Sequence, residues 1–188
     1  MTSLGSPKIS RSAFVDRSAT ILGDVTIGDG VYVAPNASIR ADEPRSKIII
    51  GGQCNIQDNV VIHALRDSTV KVGVGTTLAH GCIIHGPCII GEGCFIGFGT
   101  VVFQCTLMDG SVVLHRALVT QTFIPPSRLV ASGVIIDGEL KAADLPVVSD
   151  DIIRFVDSVR ETNLELARMY RQSVRDGPRR RSREGRKG

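Results

Sequence analysis

Large aromatic side chains are scarce in this sequence. Its 188 residues include no tryptophan, and aromatic residues make up only 4% of the chain. A compact β-sandwich normally fills its core with more large rings, because rings supply much of the buried apolar area. A narrow core of isoleucine, valine and smaller residues has no such need. The composition therefore favours a fold with a narrow core.

Long apolar segments are also missing. No apolar run approaches the roughly 20 residues that a membrane-spanning helix needs, and the first twelve residues lack the apolar stretch of a signal peptide. The sequence therefore predicts no membrane partner. Five cysteines without a secretory signal predict reduced thiols and a cytoplasmic protein, because thiols stay reduced in that compartment.

Positive charge is concentrated at the end of the chain. The net charge is +3, but residues 173–188 alone hold seven basic and two acidic residues. The rest of the chain is slightly acidic and has no basic footprint for nucleic acid, so no nucleic-acid partner is expected. Segment 175–188, rich in Arg, is predicted to be a disordered basic tail because it cannot bury apolar area. The alternative is that this tail binds a partner.

Branched aliphatic residues recur with a period of six along most of the chain. The period is interrupted near Glu43–Lys47 and Arg66–Lys71, and it slips by one residue twice further on. We call the residues of this series the inward positions: Val15, Ile21, Ile27, Val33, Ile39, Ile50, Ile56, Ile62, Val72, Leu78, Ile84, Ile90, Ile96, Val102, Leu107, Val113, Val119, Ile124, Val130 and Ile136.

The residue two before each inward position is usually small. All five cysteines have this phase: Cys54, Cys82, Cys88, Cys94 and Cys105. The pattern is that of a hexapeptide repeat, in which each short strand points one aliphatic side chain inward and a smaller residue fills the corner. Three hexads make one triangular coil, so the same face recurs at every third hexad. The sequence predicts an all-β parallel β-helix over residues 13–140, after an N-terminal segment 1–12. The cysteines are predicted to be small buried residues, with Cys82, Cys88 and Cys94 on three different faces.

A helical period replaces the hexapeptide period after residue 148. Apolar positions spaced by three and four predict an amphipathic helix over residues 149–174 that packs back along the β-helix. Asn163 is the odd polar residue in the apolar stripe. One interpretation makes it a polar group that sets the packing register; the other places its amide at an active site.

Three of the four histidines lie close together in the sequence, and two of them directly follow inward positions. His63 follows Ile62 and His85 follows Ile84, three hexads and therefore one coil apart. Their backbones are expected about 4.8 Å apart on one wall, with both imidazoles pointing outward. Two nitrogens bound tetrahedrally to one zinc ion lie roughly 3.3 Å apart, a separation that such stacked histidines can meet.

His80 lies on a different stretch of the coil, two residues after Leu78. A neighbouring subunit can supply it, since triangular prisms pack as cyclic trimers with clefts between them. The sequence therefore predicts a homotrimer with metal sites at its subunit interfaces. The alternative is a set of separate surface or interface histidines. His115 has no partner at the right phase and is assigned a structural role.

Polar side chains cluster near these histidines. Arg40, Asp42 and Glu43 interrupt the first part of the series, and Gln57 and Asp58 precede His63 by less than one hexad. An outward arginine and aspartate can pair across a subunit boundary or form an ordinary salt bridge. Groups next to metal ligands of this kind orient the ligands and tune their basicity.

With these residues in place, the sequence resembles the gamma class of carbonic anhydrases over roughly residues 10–172. The resemblance implies that the β-helix is left-handed. It is carried by residues 39–43 (IRADE), 55–58 (NIQD), 61–65 (VIHAL), 78–80 (LAH), 84–87 (IHGP), 95–98 (FIGF) and 124–126 (IPP).

The resemblance assigns roles to these positions. It implies that His63, His80 and His85 are the metal ligands. Arg40 and Asp58 would form an intersubunit pair supported by Asp42. Gln57 would hydrogen-bond the metal-bound solvent or substrate, Glu43 would be an active-site carboxylate, and Asn163 would lie near the substrate. The metal is expected to be Zn²⁺, with Fe²⁺ or Co²⁺ as alternatives, because imidazole suits all three.

The chemistry implied by the resemblance is that of a lyase that reversibly hydrates CO2 to bicarbonate. A metal held by three histidines lowers the pKa of bound water toward about 7, and the hydroxide attacks CO2. This chain departs from the family pattern after the first ligand, where a longer acidic loop with a shuttle glutamate is replaced by Leu65 to Thr69. Proton export is therefore expected to be slower or to use Glu43 or Asp67.

Other functions remain open on the same scaffold. Hexapeptide acyltransferases share the β-helix and the trimer but typically use one general-base histidine and a projecting loop, and metal-dependent thioester hydrolases are a related possibility. A weakly active or inactive binding module is a further alternative, because related domains occur in carboxysome assembly proteins. The basic tail fits such a partner role.

Overall fold

The computed structural model describes residues 5–138, 142 and 144–176, with side chains as far as Ser173. Within them, 21 short strands precede one long helix. The strands are β1 (Lys8–Ile9), β2 (Phe14–Val15), β3 (Thr20–Gly23), β4 (Val25–Ile27), β5 (Tyr32–Val33), β6 (Ser38–Ala41), β7 (Lys47–Ile50), β8 (Asn55–Ile56), β9 (Val61–His63), β10 (Thr69–Val72), β11 (Thr77–Leu78), β12 (Ile83–His85), β13 (Cys88–Ile90), β14 (Phe95–Ile96), β15 (Val101–Phe103), β16 (Thr106–Leu107), β17 (Val112–Val113), β18 (Leu118–Thr120), β19 (Phe123–Ile124), β20 (Leu129–Val130) and β21 (Ile135–Ile136), and the helix is α1 (Asp150–Asp176).

Each strand pairs in parallel with the strand three further along the chain, which gives three sheets of seven strands. The first sheet runs from β1 to β19, the second from β2 to β20, and the third from β3 to β21. Paired residues are typically three hexads apart, as in the match of Thr77 with Phe95. The parallel β-helix predicted from the hexapeptide period is therefore confirmed.

The core is a single column of inward side chains along the axis of the coil. Every inward position from Ile27 to Ile136 is at most 3% exposed. Val15 and Ile21, at the first coil, are only partly buried and pack against that core. Burial of one aliphatic side chain per strand stabilises the coil by the hydrophobic effect, at about 1.5–3 kcal/mol for each such side chain.

The five cysteines are free thiols buried in the corners of the coil. The thiols of Cys54, Cys88, Cys94 and Cys105 donate to main-chain carbonyls, as Cys54 does to Gly73. Burial raises the pKa of Cys54 to about 12 and the pKa values of Cys88 and Cys94 to about 11. The prediction that they are small buried residues is confirmed.

Strand β1 lies inside segment 1–12, which the sequence places before the β-helix. Lys8 and Ile9 pair with Thr26 and Ile27 of β4. Ile9 lies six residues before Val15 and pairs with the inward Ile27, so it continues the inward series by one position. At the open end of the coil its side chain is 43% exposed.

Helix α1 returns along the second sheet, in the direction opposite to the growth of the coil. Its first turn carries Asp150 and Asp151, which favour a helix N-terminus. Phe155 packs edge-on against Phe95 at 5.8 Å between ring centroids, and Tyr170 stacks on Phe14 at 5.3 Å. The helix ends at Asp176, slightly beyond the predicted bound of 174. The rest of the predicted tail, residues 177–188, lies outside the described residues. Of the described helices, none is long and apolar enough to cross a membrane.

Candidate metal centre

His63 and His85 are neighbours on the outer face of the third sheet. They end strands β9 and β12 and face each other in the parallel register. His63 Nδ1 lies 3.2 Å from His85 Nε2, and the ring centroids are 5.1 Å apart. This separation of two nitrogens is close to the roughly 3.3 Å between two ligand atoms of a tetrahedral metal ion. The predicted stacking of these two histidines is confirmed.

The pair belongs to an outward column with one member per coil. The parallel register aligns Arg40 with His63, His63 with His85, His85 with Phe103 and Phe103 with Thr120. Each member directly follows an inward position and therefore points away from the core. The hexapeptide period thus fixes both the direction and the spacing of the two histidines.

The remaining nitrogens of the histidine pair are buried. His63 Nε2 and His85 Nδ1 have no hydrogen-bond partner among the described residues. Two carboxylates approach His63 Nε2, with Asp42 Oδ1 at 3.4 Å and Glu43 Oε1 at 3.6 Å. The histidine pair is therefore flanked by negative charge, which attracts a cation.

Asp42 and Glu43 reach this place through a loop after β6. Gly23 allows the turn, because a Cβ at this position would overlap the main-chain carbonyl of Ala41. Glu43 Oε2 accepts a 2.7 Å hydrogen bond from the backbone N–H of Arg66, in the loop that follows His63. The two loops that interrupt the hexapeptide period are thus tied together beside the histidines.

His80 lies on the turn after β11, and its side chain is 53% exposed. Its Nδ1 is 2.9 Å from Asp58 Oδ2, and its backbone N–H donates to Gln57 Oε1 at 3.1 Å. Gln57 is itself almost fully buried. Within a single chain, no three His, Cys, Asp or Glu side chains of the described residues are arranged to hold a metal ion. His80 therefore does not complete a three-histidine set in its own chain.

Three further predicted residues have other partners within the chain. Arg40 Nε pairs with Asp42 Oδ2 at 3.1 Å, and Asp58 pairs with His80. Asn163 Nδ2 donates to the main-chain oxygen of Val159 at 2.8 Å, on the half-buried side of α1. The predicted pairing of Arg40 with Asp58 between subunits and the approach of Asn163 to a substrate both stay predictions.

Asp67, the second carboxylate considered for proton export, is directed elsewhere. It hydrogen-bonds to Arg45, and this bond lowers the pKa of Asp67. The same contact raises the pKa of Arg45. Glu43, at 3.6 Å from His63, is therefore the better placed of the two.

Two phenylalanines to which the sequence assigned no role at the site lie one coil beyond the predicted ligands. Phe98 lies one coil after His80, and their ring centroids are 5.4 Å apart. Phe103 lies one coil after His85, with centroids 5.5 Å apart. The one-coil spacing was the signal that would have found both of them.

Comparison with known proteins shows the family of this chain. A family model described as "Bacterial transferase hexapeptide (six repeats)" matches residues 6–41. A carbonic anhydrase of Methanosarcina thermophila is 32% identical over 188 residues, which cover 89% of this chain and 76% of that protein. The chain belongs to the gamma-class carbonic anhydrase family. The left-handed β-helix expected from the resemblance is the fold of this family.

The family also includes proteins with other names. The carboxysome assembly protein CcmM of Synechocystis sp. is 40% identical over 181 residues, covering 91% of this chain but 25% of that protein. The chain thus spans about a quarter of the length of that relative. A crystal structure of a hexapeptide transferase family protein from Anaplasma phagocytophilum is similar with a TM-score of 0.64 and 25% identity, over 88% of this chain and 93% of that chain.

Proposed function

We propose that this protein reversibly hydrates CO2 to bicarbonate at metal centres shared between the subunits of a homotrimer. The observation that carries the proposal is the pair His63 Nδ1 and His85 Nε2, 3.2 Å apart on one wall. The similarity to a carbonic anhydrase over most of both chains supports the same reaction.

The histidine pair fits a metal ion. Two imidazole nitrogens face each other at the separation of adjacent tetrahedral ligands, and carboxylates of Asp42 and Glu43 lie on the far side of His63. His63 and His85 of one subunit and His80 of the next would hold Zn²⁺, or Fe²⁺ or Co²⁺, for which imidazole is also a suitable ligand. When bound, such an ion supplies a Lewis acid that lowers the pKa of water to about 7.

Asp58 and Gln57 of the same chain orient His80 for metal binding. Asp58 holds Nδ1 at 2.9 Å, which favours the proton on that nitrogen and leaves the lone pair on Nε2. Gln57 fixes the backbone beside His80 through its carbonyl oxygen. Its amide nitrogen is then the part of this side chain that donates to an oxygen of CO2 or bicarbonate.

Proton release requires a group between the histidine pair and solvent. Glu43 is 35% exposed on its side chain and lies 3.6 Å from His63 Nε2. Its other oxygen is held by the Arg66 backbone, so the carboxylate is fixed close to the site while still reaching water. In our proposal Glu43 therefore accepts the proton that hydration of CO2 releases and passes it to buffer. Turnover should then rise with buffer concentration. Fast turnover that ignores buffer would contradict this route.

Metal analysis of the anaerobically purified full chain, combined with CO2 hydration kinetics and a mass measurement in solution, tests the proposal. We expect about one metal ion per chain, a trimer, and loss of both metal and activity in His63→Ala. Thr120→Ala is the matched control, because Thr120 lies in the same outward column two coils away from His85. A metal-free protein whose CO2 hydration is unaffected by His63→Ala would refute the proposal.

A second candidate function is that of an inactive or weakly active binding module. It is favoured by the 40% identity to a carboxysome assembly protein, which exceeds the 32% identity to a carbonic anhydrase. The basic residues of segment 175–188 would then contact an acidic partner. The same kinetics decide between the two, since a binding module keeps the trimer without the hydration rate.

An acyl-transfer function has weaker support. The similar transferase family structure shares 25% identity, and a transferase with one general-base histidine has no use for the His63–His85 pair.

We also propose a cytoplasmic location. The five buried thiols agree with it, because unpaired cysteines persist in reducing compartments.

A further inference from the structure

His80 is the most exposed of the predicted ligands, and its ring is held from two directions. Asp58 Oδ2 contacts Nδ1 at 2.9 Å, on one edge of the imidazole. The ring of Phe98 packs against it in a tilted contact, with centroids 5.4 Å apart and planes inclined by 39°. A single hydrogen bond leaves an imidazole free to rotate about that bond, whereas a second ring in contact with it restricts the rotation.

Phe98 is itself anchored by His115, the histidine assigned a structural role from the sequence. The two rings stack at 4.4 Å between centroids with planes 16° apart. The backbone N–H of Phe98 donates to His115 Nδ1 at 3.1 Å. Gly97 makes room for this arrangement, because a Cβ there would lie 2.8 Å from His115 Nδ1 and 2.6 Å from the carbonyl carbon of Leu114.

Phe98 lies between two histidine rings and is 44% exposed. His80, Phe98 and His115 follow each other at intervals of one coil and form a column of three rings. His80, the predicted ligand, is the first ring of this column. The column lies at a corner of the coil, whereas His63 and His85 lie on the third sheet.

We propose that Phe98 and His115 are positioning residues, which hold the imidazole of His80 in the orientation that a metal ion shared with the next subunit requires. This inference rests on the proposed metal centre. His115 fixes Phe98 by stacking and by its Nδ1 acceptor, and Phe98 fixes the plane of His80. Neither residue touches the reacting atoms.

The first arm of the test needs neither metal nor activity. The chain has four histidines, so the metal-free protein labelled at histidine Cε1 gives four resolvable NMR signals. Loss of the Phe98 ring current shifts the His80 signal in any case, so the linewidth is the measurement. We expect Phe98→Ala to broaden the His80 signal as its ring begins to exchange between rotamers, and Phe98→Tyr, which keeps the ring, to restore the wild-type linewidth. A His80 signal that stays as narrow in Phe98→Ala as in the wild type would overturn the inference.

The second arm measures zinc affinity by competition with a chelator. Loss of groups that orient a metal ligand typically weakens binding about 10-fold or more, so we expect about 10-fold for Phe98→Ala and a smaller loss for His115→Ala. The double variant should bind zinc no more weakly than Phe98→Ala alone, because His115 acts through Phe98. Additive losses of zinc affinity in the double variant would contradict the inference that His115 acts through Phe98.

Controls separate this role from general damage. Phe123 is equally exposed at 44% but lies on the first sheet, so Phe123→Ala should leave both the His80 signal and the zinc affinity unchanged. Phe98→Leu serves as a second variant if Phe98→Ala fails to fold. A wild-type chain that binds no zinc would refute the proposed function, while the NMR arm would still decide the positioning of His80.

Discussion

His63 and His85 are stacked on adjacent coils with their facing nitrogens 3.2 Å apart. Each follows a fully buried isoleucine, Ile62 or Ile84, which pins its backbone to the core. The separation is therefore set by the coil spacing of about 4.8 Å and by the shared outward direction. Two imidazoles held in this way would need little rearrangement to bind the proposed metal ion.

Removal of one member of this pair should abolish tight metal binding. We expect His85→Ala to weaken zinc binding at least about 100-fold, because it removes a proposed ligand and leaves the negative charge of Asp42 and Glu43 to attract only loosely held cations. Chelator competition on the full chain measures this. Thr120→Ala, in the same column, should bind zinc like the wild type; equal losses in both variants would point to damage of the whole wall.

The two adjacent isoleucines of β12 should contribute very different amounts to the free energy of unfolding. Ile84 is completely buried, whereas Ile83 is 36% exposed. Ile84→Ala should lower the free energy of unfolding by about 3 kcal/mol, because it removes buried methyl groups and leaves a cavity. Ile83→Ala should lower it by less than about 1 kcal/mol. Urea unfolding followed by circular dichroism gives both values, and similar losses would contradict the inward series.

Buried thiols predict a loss of stability at alkaline pH. Burial raises the pKa of Cys54 to about 12, whereas an exposed cysteine ionises at about 8.5. Between these values the unfolded chain releases protons that the folded chain retains, so the free energy of unfolding falls as pH rises through this range. Below a pH of about 8.5, where the thiol is protonated in both states, Cys54 does not affect the free energy of unfolding.

Urea midpoints at pH 7, 9 and 10 measure the effect, and Cys54→Ala should show a shallower fall than the wild type. Native protein at pH 8 should also react with a thiol reagent far more slowly than protein in guanidinium. A wild-type slope that survives unchanged in Cys54→Ala would assign the pH dependence to other groups.

Gly23 should tolerate no side chain. Its φ is +83°, and a Cβ would overlap the carbonyl of Ala41. Gly133 has a similar φ of +72° but nothing within 4 Å of a Cβ among the described residues. Gly133→Ala therefore isolates the backbone strain, expected at about 1–2 kcal/mol.

Gly23→Ala adds the overlap with Ala41 and should destabilise the chain more than Gly133→Ala. It should also weaken zinc binding, because Ala41 leads into the loop that carries Asp42 and Glu43. Thermal unfolding and chelator competition measure the two effects. Equal destabilisation by both substitutions would show that the close approach to Ala41 has no cost of its own.

The sequence by itself determined the coil and one wall of the candidate site. A period of six leaves one inward side chain per strand, and burial of that side chain fixes the phase of every neighbour. This is why the stacking of His63 on His85 could be predicted by counting hexads, and why the cysteines could be assigned to the core. The long apolar stripe of α1 predicted a packed helix, because its period differs from that of the coil.

Only the tertiary structure decided the contacts made outside that period. A triangular coil offers three similar faces, and amphipathicity alone could not tell that α1 packs on the second sheet. The loops that bring Glu43 to Arg66 and Asp42 to His63 have no side chains buried at regular intervals. Their paths therefore depend on contacts between residues distant in sequence. The column of His80, Phe98 and His115 likewise depends on a slip in the repeat, which shortens the coil between Phe98 and His115 and still brings their rings into line.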